Sequence, residues 1–540
     1  MIWFVRDFDL LSLVIRAVSF ALEALALGSL FFLIFAARPS GLPEDSQRRL
    51  RRIASAFALA LAIVQLALLT TTSAVLVGSN SGLGLRDLFG ADYLISGVAF
   101  CVAALLLFVF LRWVRPLALA VLSGIAALSA SVSLSHAASR MDHRPQLLVL
   151  TAAHHLGMAA WIGALPSLLI ALRRIDDSAT ASRLARRFSS MAVVSVAVLI
   201  LGGVGLSWFY AGSWQGLYGT SYGILLSAKI VLTIVMLALG AGNFLALRRV
   251  ERDPAPLLFR LRRFSEAELG LGFTVILAAA SLTAQSPSVD ETAPDILTGH
   301  QVVQRMEWRW PSFRTPQLTQ LAPPTPLSTA VREATYSGGS ASDANDRAWS
   351  EYNHHWAGLI VLAAGCLALL SHIPHQRWAR HWPLLFLGLA LFILIRADPE
   401  CWPLGPRPFW ASFTAPDVLE HRLYALLITA FAIFEWGVQT GRLHRPRARF
   451  VFPVLCAAGG ALLLTHPHAL GEGTDEVFAE LSHAPMAILG AVAGWGRWLE
   501  LRLDDGLTSE SSERPRRIVA WVWPVCLVLV GLMLLNYRES

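Results

Sequence analysis

Histidine and methionine side chains in one apolar stretch have the spacing of metal ligands. His154 and His155 are followed by Met158, which helical geometry puts one turn from His154 on the same face. Imidazole together with thioether suits copper, Cu(I) in particular. His155 lies about 12 Å along the helix from Leu147, too deep for its polar atoms to lack a partner. We therefore predict a copper site here, with a buried hydrogen bond between helices as the alternative.

A second histidine group follows a later apolar run. Pro467 favours extended backbone at His466, which points the rings of His466 and His468 to the same side. Glu480 and His483 downstream have the i, i+3 spacing used in di-iron bundles. We predict that His466, His468 and His483 form an outer collecting site for metal. The acidic residues around them are equally typical of a solvated loop.

A third pair, His354 and His355, lies where the chain re-enters the membrane beside Trp356. Metal binding and an interfacial aromatic belt with polar neighbours explain this pair equally well. Both histidines are kept as candidate metal ligands.

Three charges lie inside predicted membrane helices: Arg16, Glu23 and Lys229. Each costs on the order of 3 kcal/mol at the bilayer centre, so each needs a partner, a route to the interface or a function. We interpret Glu23 as a candidate proton or cation site, with structural pairing as the alternative. Lys229 either extends to the interface or faces a cavity.

The elements that must position these residues are membrane helices. The 540 residues are 55% hydrophobic and 15% charged, with mean hydropathy +0.55. Apolar runs of about 18 to 25 residues recur along the chain, each long enough to cross a bilayer. We predict an all-α, polytopic transmembrane bundle of about fourteen helices. They lie near Leu10–Phe35, Ile53–Leu76, Tyr93–Leu111, Pro116–Leu134, Leu147–Leu172, Met191–Tyr210, Tyr222–Leu247, Leu269–Ala284, Trp356–Leu370, Trp382–Ile395, Val418–Trp436, Phe450–Leu464, Pro485–Leu499 and Ile518–Leu535.

Arginine-rich loops on alternate sides predict the orientation. Arg48, Arg183, Arg262, Arg377, Arg447 and Arg516 and their arginine neighbours occupy loops that should be cytoplasmic, so both termini are predicted to be periplasmic. Eleven of the fifteen histidines then fall on the outer side. We predict three parts: an eight-helix membrane domain over 1–285, a periplasmic Pro/Ser/Thr-rich linker or small cap over 286–353, and a six-helix membrane domain over 354–540.

Several classes of protein are disfavoured. No G-x-x-x-x-G-K-[ST] motif is present, which argues against a pump driven directly by nucleotide. The basic charge is more naturally explained by membrane orientation than by nucleic-acid binding. No catalytic residues are predicted, and we expect a metal-binding or transport protein rather than an enzyme.

An ordered set of motifs resembles the CopD family of bacterial copper-handling membrane proteins. His154, His155 and Gly157 with Trp161-Ile162-Gly163 resemble the family's histidine, glycine and W-[IL]-G signature. Arg187-Phe188-Ser189 and the run from Gly219 to Lys229, with Asn243 downstream, resemble its next two motifs. The second half, with Thr465 to Gly471 and Leu481 to Pro485, resembles an extension fused to some CopD-like proteins.

This resemblance implies copper movement or copper homeostasis at the bacterial inner membrane, often beside a periplasmic CopC-like carrier, which here would be a separate protein. Uptake and resistance are both known in the family, so the direction stays open. Two other functions remain: a membrane redox protein that binds haem b through histidines on neighbouring helices, and an assembly factor that holds copper for a cuproenzyme.

Overall fold

The computed structural model describes residues 8–79, 84–114, 116–248, 255–292, 296–316, 341–414, 416–465, 474–505 and 510–539. Among these residues the protein is α-helical, and the only β-type pairing is an isolated bridge between Cys401 and Arg407. The chain divides into two compact units. Unit 1 comprises Met1–Leu217, Leu225–Thr292 and Gly506–Ser512, and unit 2 comprises Tyr218–Ile224, Ala293–Asp505 and Glu513–Ser540.

Unit 1 contains the helices of the first half of the chain. They are α1 (Phe8–Phe32), α2 (Glu44–Ser79), α3 (Asp92–Trp113), α4 (Ala118–Ser133), α5 (His136–Ser139), α6 (Arg144–Met158), α7 (Leu165–Leu172), α8 (Ser178–Ala211), α9 (Trp214–Tyr218), most of α10 (Ser221–Arg248) and α11 (Ala255–Leu282). Two π-helical segments interrupt the α-helices, at Leu33–Ala37 after α1 and at Ala159–Gly163 between α6 and α7.

Unit 2 contains the helices of the second half. They are α12 (Gly299–Met306), α13 (Ala341–Leu370), α14 (Leu384–Arg396), α15 (Pro416–Gln439), α16 (Val451–Leu463), α17 (Thr474–Asp504) and α18 (Glu510–Leu535). Their core is aromatic, with Trp382, Phe452 and Trp523 packed together and almost fully buried.

Each of the fourteen predicted spans overlaps a helix, which confirms the all-α polytopic bundle. Among the described residues, eleven helices are long and apolar enough to cross a membrane. Two more, Ala118–Ser133 and the segment Ala448–Leu463, are apolar but shorter. Helix α15 belongs to neither group and carries buried Arg422 and Glu435 along its length. The chain is therefore a multi-pass membrane protein.

Several predicted helix starts were wrong because the helices continue well beyond the apolar runs. Helix α2 begins at Glu44 rather than Ile53, and α8 begins at Ser178 rather than Met191. Arginine, glutamate and alanine are good helix formers, so these charged stretches extend the helices out of the apolar layer. The predicted helix start at Pro485 is also wrong, because Pro485 lies inside α17, where packed neighbours tolerate proline.

Backbone-to-backbone packing joins α1 to the π segment after α6. A Cβ atom at Gly163 would overlap the carbonyl group of Ala24, and one at Gly28 would overlap the carbonyl oxygen of Ala159. Only glycine permits this close approach. The contact fixes the position of α6 and its histidines against α1.

Candidate functional site in unit 1

The histidine motif lies at the end of α6, directly before the π segment Ala159–Gly163. Single π-helical turns inside α-helices occur frequently at functional sites, because they rotate the following side chains relative to a regular helix. Here the segment directs Trp161 into the protein, where its side chain is 2% exposed. The motif is therefore part of the interior of unit 1.

His155 faces α1, where it meets Glu23. Nδ1 of His155 lies 3.5 Å from Oε1 of Glu23, and the glutamate side chain is 1% exposed. Ser131 of α4 donates a hydrogen bond to the other carboxylate oxygen at 2.8 Å. Within the described part of the chain, neither His155 Nδ1 nor Glu23 Oε1 has a hydrogen-bond partner. These two buried polar atoms therefore face each other at a distance that is longer than a hydrogen bond.

His154 faces away from this pair, toward α8 and α10. Its Nδ1 lies 3.1 Å from the carbonyl oxygen of Leu199, and its Nε2 lies 3.4 Å from Nζ of Lys229. Helix α8 can come this close because Gly202 has no side chain. A Cβ atom at Gly202 would press on the His154 backbone. The Lys229 ammonium group therefore lies beside the His154 ring. His154 and His155 occupy different surroundings and do not share a partner.

The remaining predicted residues of unit 1 have simpler positions. Met158 is half-buried one turn beyond His154. Arg16 donates from its guanidinium to both the carbonyl and the hydroxyl oxygen of Thr283 at 3.2 Å. Arg16 and Glu23 therefore have different partners.

Glu268 of α11 is a buried carboxylate that the sequence analysis missed. Trp161 donates its indole N–H to Oε1 of Glu268 at 2.6 Å, and the glutamate is 3% exposed. The predicted span begins at Leu269, the very next residue, so Glu268 falls just outside it. The signal was present in the sequence: an acidic residue between Ala267 and Leu269, directly at the edge of an apolar run.

In unit 2 the structure brings together two histidines that the sequence analysis had assigned to separate groups. His354 of α13 and His483 of α17 have ring centres 6.3 Å apart, at an interplanar angle of 85°. His355 points elsewhere: its Nε2 lies 3.1 Å from the carbonyl oxygen of Tyr537. His466 and His468 lie outside the described residues.

A complete metal-binding cluster is not preformed in the part of the chain that the structure describes. No group of three or more histidine, cysteine, aspartate or glutamate side chains is arranged there to hold a metal ion. The candidate ligands instead form pairs, His155 with Glu23 in unit 1 and His354 with His483 in unit 2.

The surroundings of the α6 histidines coincide with a known family region. Residues 182–282 match the model of the family described as Copper resistance protein D, CopD. This part of the chain, about a fifth of its length, is therefore similar to the CopD family. The CopD region contains Leu199 and Lys229, which contact His154, and Glu268, which accepts the bond from Trp161.

A curated relative extends the likeness. Copper transport protein CutJ of Bacillus subtilis (strain 168) is 27% identical over 302 residues, which are 52% of this chain and 53% of the relative. The chain thus matches about half the length of that relative. No solved structure gives a significant match.

Proposed function

We propose that this protein is a member of the CopD family and handles copper at the bacterial inner membrane, accepting the ion on the periplasmic side and moving it across the bilayer or passing it to an acceptor. The family description and the name of the Bacillus relative both refer to copper. The direction of movement is left open, because that relative is named for transport and the family for resistance.

The observation that carries the proposal is the buried pair of His155 and Glu23. Two ligand atoms bound to one metal ion at about 2.0–2.1 Å, in tetrahedral geometry, lie about 3.4 Å apart. His155 Nδ1 and Glu23 Oε1 are 3.5 Å apart, and neither has a hydrogen-bond partner among the described residues. A cation between them would satisfy both atoms and would offset the buried carboxylate charge. Met158, one turn along α6, is the candidate thioether ligand.

His154 and Lys229 form the second part of the proposed route. The Lys229 ammonium lies 3.4 Å from His154 Nε2, so copper can use this nitrogen only when the ammonium withdraws. Two cations at such a separation repel each other strongly inside a protein. We therefore assign Lys229 as a competitor that lowers the affinity at His154 and favours release of the ion.

The outer histidines complete the proposal. His466, His468 and His483, with His354 and His355, are the candidate residues that collect copper from the periplasm, where a separate CopC-like carrier is the expected donor. In this proposal the protein transports or transfers copper and catalyses no reaction. Copper moves by ligand exchange or along a gradient.

Copper accumulation in sealed proteoliposomes tests this function. We expect wild-type protein to accumulate copper far beyond one ion per chain, and Glu23→Leu to abolish accumulation. The matched control is His136→Ala, which removes an exposed histidine of the same unit that bonds the backbone of Thr283. Stoichiometric binding without accumulation would instead indicate a copper-holding assembly factor. Neither binding nor accumulation, or a Soret band in the visible spectrum, would overturn the copper proposal.

A further inference from the structure

The ring cluster of unit 2 consists of His354, His483 and Tyr537. The His354 ring stacks on Tyr537 with ring centres 3.7 Å apart, and the His483 ring stands edge-on to Tyr537 at 5.8 Å. His483 is 4% exposed and His354 is half-buried. The three rings come from α13, α17 and the segment after α18, so the fold rather than local sequence brings them together.

Hydrogen bonds orient both imidazoles in the same way. Nδ1 of His354 lies 2.8 Å from the carbonyl oxygen of Ser350, and Nδ1 of His483 lies 2.7 Å from that of Ala479. A carbonyl oxygen only accepts, so each Nδ1 is a protonated nitrogen, and in the neutral ring Nε2 is then the nitrogen with the lone pair. Metal-binding histidines characteristically have this second hydrogen bond, which fixes the tautomer and the ring orientation.

The ring separation fits two imidazoles on one ion. Two rings that bind a single ion through one nitrogen each, at about 2 Å per bond, have centres about 5 to 6.5 Å apart, with the largest value for a linear arrangement. The observed separation of His354 and His483 is 6.3 Å. That value corresponds to a near-linear arrangement, which favours two-coordinate Cu(I) over Zn²⁺, since Zn²⁺ in structural sites takes four tetrahedral ligands.

A buried glutamate one helical turn from His483 supports a cationic occupant. Glu480 lies one turn before His483 in α17 and is fully buried. Neither of its carboxylate oxygens has a hydrogen-bond partner among the described residues. Ionising a buried carboxyl group without a partner is costly, and a monovalent cation bound about one helical turn away would offset that cost.

We infer that His354 and His483 form a two-histidine Cu(I) site in unit 2, with Nε2 of each ring as ligand, Tyr537 as the stacking support of His354 and Glu480 as the neighbouring counter-charge. This inference rests on the proposal that the protein handles copper. It adds a site in the second unit, separate from His155 and Glu23.

The test is Cu(I) retention by the full-length protein in detergent. Purified protein is loaded anaerobically with Cu(I), challenged with a Cu(I) chelator, and its copper measured by elemental mass spectrometry. We expect His354→Ala and His483→Ala each to lose the same copper ion and to weaken its binding by more than about 100-fold, since even outer-shell changes cost about 10- to 100-fold. Tyr537→Phe keeps the stacked ring and retains the ion.

The matched control is His372→Ala. His372 also bonds the carbonyl four residues earlier, that of Ala368 at 2.9 Å, but its ring packs on Trp521 and Trp523 instead of on a histidine. It should retain all copper. Wild-type retention in both His354→Ala and His483→Ala would overturn the site.

Two readouts keep this result distinct from a failure of the unit 1 proposal. His155→Ala should lose a different copper ion, so that its loss adds to that of His354→Ala. X-ray absorption of copper bound to His155→Ala protein should show two nitrogen neighbours at about 2 Å, and this measurement stands even where the unit 2 variants fail to fold. Sulfur neighbours, four-coordination or a haem spectrum there would contradict the site.

Discussion

The indole nitrogen of Trp161 donates to Oε1 of Glu268 across 2.6 Å, and both side chains are nearly inaccessible to solvent. The bond joins the π segment after α6 to α11, and hence the histidine motif to the CopD region of residues 182–282. It is one of the contacts that hold the α6 histidines in place.

Removing the donor should destabilise unit 1. Trp161→Phe leaves a buried carboxylate oxygen without its partner, at a cost of about 1–3 kcal/mol. We expect a lower thermal unfolding midpoint of the detergent-purified protein, and a smaller effect from Glu268→Gln, which keeps an acceptor for the indole. A midpoint unchanged in Trp161→Phe would mean that this hydrogen bond does not stabilise the fold.

The Lys229 charge beside His154 predicts a variant that binds copper more tightly than the wild type. Lys229→Met removes a cation 3.4 Å from His154 Nε2, so copper should bind more tightly, by about tenfold or more. Lys229→Arg keeps the charge and should behave like the wild type. The measurement is a competition titration with a copper chelator, and weaker binding in Lys229→Met would show that the ammonium assists binding instead.

The contact of α1 with the π segment predicts that Gly163 tolerates no side chain. Gly163→Ala forces a methyl group against the Ala24 carbonyl, and we expect a loss of about 3 kcal/mol or more, since backbone atoms cannot move aside as side chains do. Gly388→Ala is the control, because a Cβ there meets no atom within 4 Å. Yield and unfolding midpoint should fall for the first variant alone.

The buried ion pair of Arg497 and Glu435 in unit 2 can be tested by replacing first one partner and then both. Arg497 lies 2.9 Å from Glu435 and 2.8 Å from Glu500, and Glu435 is fully buried. Arg497→Met should cost about 3–5 kcal/mol, because it leaves an uncompensated buried carboxylate. Adding Glu435→Leu should restore part of the loss. Additive effects of the two changes in thermal unfolding would contradict this coupling.

The loop cysteine should be unreactive at neutral pH. Burial, reinforced by the carboxylates of Glu400 and Asp398, raises the pKa of the Cys401 thiol to about 11. At pH 8 the thiolate is then over about 100-fold scarcer than for an ordinary cysteine with a pKa of about 8.5. Maleimide labelling, followed by peptide mass spectrometry, should be slow at pH 8 and should accelerate as the pH rises. Glu400→Gln should lower the pKa and speed labelling; rapid labelling of the folded wild type at pH 8 would contradict the burial.

The membrane helices could be predicted from the sequence. An apolar run long enough to cross the bilayer must satisfy its backbone hydrogen bonds internally, which a helix does. It was insufficient at the helix ends, and Glu268 shows the consequence. Helix formation by charged residues continues past the apolar run, so a carboxylate placed in a loop lies inside the protein instead.

The partners of the histidine side chains could not be predicted from the sequence for a different reason. Adjacent histidines on a helix point about 100° apart, so His154 and His155 meet different helices. The partner of each depends on how α1, α8 and α10 pack around α6. His354 and His483 likewise belong to segments far apart in sequence, and spacing within a segment says nothing about contacts between segments.

Copper content after loading and desalting tests the central claim most directly. Elemental mass spectrometry would compare detergent-purified wild type, His154→Ala/His155→Ala and the control His136→Ala. We expect the wild type and the control to retain copper and the double variant to lose it specifically. Equal copper in all three, in well-folded protein, would contradict the assignment of the α6 histidines as copper ligands.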